Sequence, residues 1–313
     1  DLALALPVDM TAGEARVTGT IGFPMIDHVP PEAFAYDLSA ALSAVDSPRI
    51  VPGHRLTADT LTLTAVPGTL TVTGAVQVGG IPARGTFTAG TGPDPAMPHL
   101  EATVQLSAAA LAEFGVGLPA GMVTGQGEGR LSLDLPRGAP ARYALTSGLD
   151  GLVLALPAVG WRKGAGTGGD FSIEGHLGMP PTIDRIALDA AGLRALGAIS
   201  LTTGGGLETA RFERVRLGAW LDAPVTLVGR GAAVPRIELG GGTLDLRHAT
   251  FGGGDGSGGG PLTLALDRLQ ITEGIALTGF LGTFDGANGL TGDFIATVNG
   301  AVPVRGAVVP LNG

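Results

Sequence analysis

The chain contains no cysteine, which removes disulfides, thiolate metal ligands and thiol nucleophiles together and leaves the compartment open. Lysine is almost missing as well: Lys163 stands alone, and the rest of the nineteen basic residues are arginines. Charged residues make up 15% of the 313, the formal net charge is −9, and aromatics are 4%. Nucleic-acid binding needs basic clusters to track phosphates and rings to stack bases, and neither is available. A polybasic patch for anionic lipid is excluded on the same ground. Long apolar runs are missing too, although mean hydropathy is +0.35. The longest, 152–161, is interrupted by Pro157 and is half of the roughly 20 residues that cross a bilayer as a helix.

Chemistry-bearing patterns are as scarce. The histidines His28, His54, His99, His176 and His248 are scattered, with no i,i+4 pair and no carboxylate at metal-ligand spacing. There is no G-x-S-x-G turn for a serine nucleophile. Gly125-Gln126-Gly127-Glu128-Gly129 is loosely like a phosphate loop, but a strand pattern follows it where a helix is required. The run 252–260 (GGGDGSGGG) matches one turn of a calcium-binding nonapeptide repeat without its apolar anchor. Trp161, Trp220, Tyr36 and Tyr143 are too few to build sugar platforms. The expectation is a protein that is not an enzyme, with no cofactor and no metal.

What the chain does have is alternation. In 58–89, Leu61 and Leu63 take one side of an extended chain, with Thr60, Thr62 and Thr64 on the other. Leu70, Val72, Val76 and Val78 repeat the device after Pro67-Gly68, and Ile81, Ala83, Gly85 and Phe87 repeat it after Gly79-Gly80. Side chains alternate across a strand, and these breaks are too short for crossover helices, so the pattern predicts an antiparallel meander with one greasy and one hydroxyl face. An apolar–x–Gly–x–apolar unit recurs around Gly19, Gly74, Gly175, Gly279, Gly292 and Gly306, with the glycine on its neighbours' apolar side. Glycine weakens a strand interior, so the repetition asks for a bend, a bulge or a closely approached backbone.

Taken in order, Leu2, Leu4 and Leu6 alternate, a turn is expected at 11–13, and 17–23 reads as a strand. The 34–45 stretch fits both periods, and its strand neighbours favour a strand. Ser107 caps the best helix, 107–114, which Gly115 ends. Strands follow at 129–135, 141–146 and 152–156, then a loop at 162–170. More strands are expected at 171–177, 182–189, 193–202, 207–217, 224–229, 235–239 and 243–249, and Asn299-Gly300 is a hairpin turn. The organisation expected is a repetitive β segment over 1–250, a glycine-rich linker or exposed turn at 251–260, and a C-terminal β segment over 261–313. The fold class is mainly β: a long, curved, antiparallel sheet forming a groove, with one short helix.

The stretches 34–40, 56–63, 70–74, 79–85, 114–119 with 125–127, 211–221 and 266–278 with 297–300 together resemble bacterial AsmA-like proteins of the YhdP type. The resemblance implies a taco-shaped, chorein-like β-groove in the periplasm, anchored to the inner membrane by an N-terminal helix not included here. It also implies phospholipid, or another acyl-chain ligand, as partner, moved between inner and outer membranes. The residues picked as lining such a groove are Leu61, Leu63, Leu70, Val72, Val76, Leu131, Leu133, Leu152, Leu154, Leu244, Leu246, Leu264, Leu277 and Phe294. Twenty strands at about 4.8 Å would extend roughly 95 Å. The alternatives are a non-catalytic, TamB-like envelope scaffold without a lipid conduit, a secreted β-solenoid, and a sugar-active enzyme.

Overall fold

A computed structural model describes residues 12–28, 30, 33–51, 53–92, 94–249, 259–287 and 289–309. The Leu2–Leu6 alternation and residues 251–258 of the glycine-rich stretch lie outside the described residues. The chain divides into two compact units, residues 1–106 with 128–145 and residues 107–127 with 146–313. Both are mainly β, and no helix among the described residues is long and apolar enough to cross a membrane.

The first unit is built on β1 (Ala12–Gly22), β2 (Ala35–Val51), β3 (His54–Val66), β4 (Thr69–Val78), β5 (Ile81–Gly90) and β6 (His99–Ser107). Each pairs antiparallel with the next, the meander expected from the alternation. Residues 128–134 of β7 (Val123–Asp134) and 142–145 of β8 (Arg142–Ser147) belong to the same unit. The ambiguous 34–45 stretch is strand, and β1 begins at Ala12, where a turn was expected. Both Gly79 (φ 57) and Gly80 (φ 82) take the left-handed backbone that a two-residue hairpin turn needs.

Alternation in this unit is not strict. The buried positions of β2 are Ala40, then Val45 and Ser47; those of β3 are Leu56 and Ala58, then Leu61 and Ala65. Both strands therefore slip phase at one level. The slip coincides with Ala44 at φ 50 and with a register shift between Thr57 and Leu61 against β4. A β-bulge inserts one residue, so a two-residue period resumes on the correct side only if the sequence slips with it.

In the second unit α1 (Ala108–Glu113) starts at Ser107, whose Oγ accepts the Ala110 N–H at 3.1 Å. The end of β7 pairs with β9 (Leu152–Leu156), which pairs with β10 (Trp161–Lys163), so part of the expected 162–170 loop is strand. The main sheet follows through β11 (Asp170–His176), β12 (Ile183–Ala190), β13 (Leu193–Leu201), β14 (Leu207–Leu217) and β15 (Leu221–Arg230), all antiparallel. Next come β16 (Ala233–Gly240), β17 (Thr243–Asp245), β18 (Leu262–Gln270), β19 (Ala276–Asp285), β20 (Thr291–Val298) and β21 (Val302–Val308).

One expectation is corrected here. The sheet is mixed, because β18 runs parallel to both β16 and β17. Together those two strands fill one position beside β15, broken at Gly241 (φ 85) and Gly242 (φ 75). Parallel neighbours need a connection of a dozen or more residues, which 246–261 supplies. The later strands are antiparallel again, and Asn299 (φ 46) with Gly300 (φ 71) forms the expected hairpin turn.

The recurrent glycines divide by cause. A Cβ at Gly19 would come within 2.1 Å of the Asp37 carbonyl oxygen, and one at Gly292 within 2.1 Å of that of Thr283. At Gly74 the obstacle is the Leu61 side chain, 2.5 Å away; at Gly306 it is the Phe294 ring, 2.6 Å away. Gly279 is different: at φ 55, with nothing within 4 Å, it forms a bulge between Thr278 and Leu281. That bulge turns Phe280 inward and leaves Leu281 half exposed beside Ile295, against the expectation that Gly279 and Leu281 share the apolar side.

Candidate apolar binding faces

The register assembles the alternating residues into continuous faces. In the first unit one row runs Ala40, Leu63, Val72, Phe87, Leu100 across five strands. Beside it runs Leu42, Leu61, Gly74, Gly85, Ala102. The opposite side carries Ser39, Thr64, Thr71 and Thr88, then Thr62, Thr73, Thr86 and Glu101. Strand β1 extends the apolar side with Val17 opposite Ala40 and Ile21 opposite Tyr36.

Of the lining residues picked from the sequence, Leu61, Leu63, Leu70, Val72 and Val76 are brought together on this face. Leu131 and Leu133 share their strand side with Gly129, whose Cβ position lies against Leu106 and Leu145. Leu61 and Leu70 are buried, whereas Leu63, Val72, Val76, Phe87, Leu100, Leu131 and Leu133 are half-buried. A core cluster of Val45, Leu56, Ala58 and Leu61 is packed by Leu42, Ile50, Val51, Val72, Val76 and Val78, all from β2, β3 and β4. Among the described residues this unit contains no α-helix to lie over it.

The second unit repeats the arrangement. Leu239, Leu264, Gly282, Phe294 and Gly306 form one row, and Leu244, Leu269, Leu277, Val298 and Val302 another. Leu244, Leu264, Leu277 and Phe294 are thus joined, and Leu246 follows Leu244 beyond the end of β17. Leu152 and Leu154 are placed elsewhere, in the small β7–β9–β10 sheet opposite Gly125 and Val123. Sequence reasoning missed Phe280 and Phe284. Phe280 stacks with Phe284 at 6.3 Å and with Phe294 at 5.1 Å between centroids, and these rings fill the space over Gly282 and Gly306. Three phenylalanines within fifteen residues of a chain so poor in aromatics were the available signal.

Ion pairs occupy the alternate positions. Arg194 meets Asp189 at 2.8 Å, Arg236 meets Glu238 at 2.8 Å, and Asp222 accepts from Arg214 at 2.6 Å and from Arg216 at 3.0 Å. The Arg214 hydrogen bond, with Arg216 behind it, holds the Asp222 carboxyl at about 2. Arg214 and Asp222 border a shallow cavity of about 390 Å³ with Glu213, Ala223, Pro224, Gly242 and Thr243. Hydrogen bonds accepted from its ring by Asp134 (2.7 Å) and Glu101 (3.1 Å) raise the His99 imidazole above its ordinary range. Lys163 is fully buried, its ammonium donating to the carbonyls of Leu149 and Leu152, and burial pushes its pKa down. Among the described residues no group of three His, Cys, Asp or Glu side chains could hold a metal.

Compared with family models, with curated proteins and with solved structures, the chain matches none.

Proposed function

We propose that the apolar faces shield the acyl chains of phospholipid, or of a similar lipid, while the headgroup stays in water. On this reading the protein is a non-catalytic lipid carrier of the bacterial periplasm, serving transfer between the inner and outer membranes. The carrying observation is the uninterrupted row Ala40–Leu63–Val72–Phe87–Leu100, half-buried over most of its length, with threonines on its reverse. Curvature is the natural consequence of phase slips that fall at one level in neighbouring strands, since each bulge bends and twists its strand. A sheet curled in this way is a groove, and its inner face would be the apolar one. Each buried CH₂ is worth about 0.8 kcal/mol, so partial cover of two chains is substantial. Rows of similar side chains without a polar anchor hold neighbouring lipid positions at nearly equal energy, which permits sliding.

The test is to purify the protein, extract it with organic solvent and measure phospholipid by mass spectrometry. Stoichiometric lipid is expected. The variant Val72→Glu, at a half-buried position in this row, should retain a small fraction of it while keeping its circular dichroism. A chain without lipid would sink the proposal. The Phe280–Phe284–Phe294 cluster favours a second reading, an envelope scaffold with a dry core, because it fills the face over β19–β21 with the protein's own side chains. That reading predicts no lipid and no effect of Val72→Glu on envelope function.

A further inference from the structure

Exposed large apolar side chains are concentrated in one short stretch of the first unit: Val17, Ile21, Phe23, Met25 and Ile26 are each more than half exposed. Contiguous exposed apolar surface of this kind marks an interaction site more often than chance. Two of these residues, Val17 and Ile21, are the outermost members of the apolar face, opposite Ala40 and Tyr36. The other three follow in sequence, past the end of β1, in the connection to β2.

That connection has a defined tip. The Ile26 N–H donates to the Pro24 carbonyl at 3.0 Å, a three-residue turn with Met25 at its centre, and Met25 is 97% exposed. The base of the tip is fixed by the Phe23 ring, tilted 38° against Phe34 at 5.7 Å, and by the Tyr36 hydroxyl, 3.2 Å from the Thr91 hydroxyl. Charge around it is sparse and of both signs: Glu14 and Arg16 on β1, then Asp27 beyond the tip.

We propose that this tip and the flanking edge of β1 dock on a zwitterionic bilayer surface and form the point where lipid passes between bilayer and apolar face. This rests on the lipid-carrying reading above. Continuity selects the occupant: a docked bilayer would meet an unbroken apolar path from Met25 and Phe23 through Ile21 and Val17 to Leu38 and Ala40. A strand laid beside β1 on the side away from β2 would cover Val17 and Ile21 but leave the tip in water. The near balance of charge suits zwitterionic headgroups, and with one arginine and no lysine in 12–28 the stretch cannot gain from an anionic surface as a polybasic segment does. Met and Phe side chains inserted at the headgroup–acyl boundary leave water for an apolar phase, which favours binding in proportion to the apolar area buried.

The experiment is co-flotation of the protein with phosphatidylcholine vesicles, with and without added phosphatidylglycerol, alongside lipid extraction of the same preparation. The wild type should float with the neutral vesicles, with little change on adding salt or anionic lipid. The double variant Phe23→Ser, Met25→Ser should partition at least about tenfold more weakly while keeping the circular dichroism of the wild type. Because Met25 makes so little contact with the fold, Met25→Asp alone supplies a variant whose loss of binding cannot be assigned to unfolding. Wild type that stays unbound, or variants that float equally, would overturn the proposal. So would a dimer that the double variant abolishes while vesicles bind neither protein, since the patch would then serve self-association. Vesicle binding without extractable lipid would overturn the lipid path and leave the lipid-carrying reading to fail on its own measurement.

Discussion

At the scale of single residues, the side of the sheet away from the apolar rows sets the pH response. Asp222, bonded to Arg214 and Arg216, titrates at about 2, below the roughly 3.9 of an unfolded aspartate. A depressed carboxyl contributes stability that is present above its unfolded pKa and lost as pH falls through its folded one, here between about pH 4 and 2. Asp245, held at about 2 by Arg247, acts in the same window. His99 has the opposite sign. Its raised pKa contributes stability that is full below about 6.5 and lost as pH rises through the folded value. Denaturant titrations of Asp222→Asn and His99→Gln should therefore each flatten one limb, the acid limb for the first and the near-neutral limb for the second. Unchanged limbs would show the pairs to be too exposed to matter, as surface ion pairs often are.

At the scale of strands, the recurrent glycines give the sharpest contrast. A Cβ at Gly85 would sit 2.4 Å from the Glu101 carbonyl oxygen and 2.8 Å from the Ala102 Cβ. Gly85→Ala should cost about 1–3 kcal/mol through forced backbone shifts, read as a lower urea midpoint. Gly117→Ala, with nothing within 4 Å and an ordinary backbone, should be neutral or slightly stabilising. The sequence made this contrast half legible. Period-two alternation located the strands, the hairpin turns and the helix capped by Ser107, because those depend on neighbours along the chain. It could not locate the phase slips. Ala44 at φ 50 carries no composition signal, and strict alternation placed Leu281 where the Gly279 bulge places Phe280. The parallel pairing of β18 was equally hidden, since it is set by partners more than twenty residues away. Picked residues that lie on one side of a slip, such as Leu63 and Val72, stand in one row, while Leu152 and Leu154 lie in the small β7–β9–β10 sheet.

At the scale of the whole molecule, amine chemistry becomes a reporter of unfolding. The one lysine is sealed beneath the turn whose carbonyls it bridges. In the native protein, acylating reagents should find no side-chain amine to modify, so Lys163 should acquire its label only at the rate at which the chain opens. Mass spectrometry of Lys163 labelling against urea concentration should trace the same transition as circular dichroism, and label appearing well before that transition would show local opening around β9 and β10 alone. For anyone coupling a dye, a bead or a crosslinker to this molecule, the consequence is practical: lysine-directed attachment selects denatured chains, and a handle on the native one must be engineered.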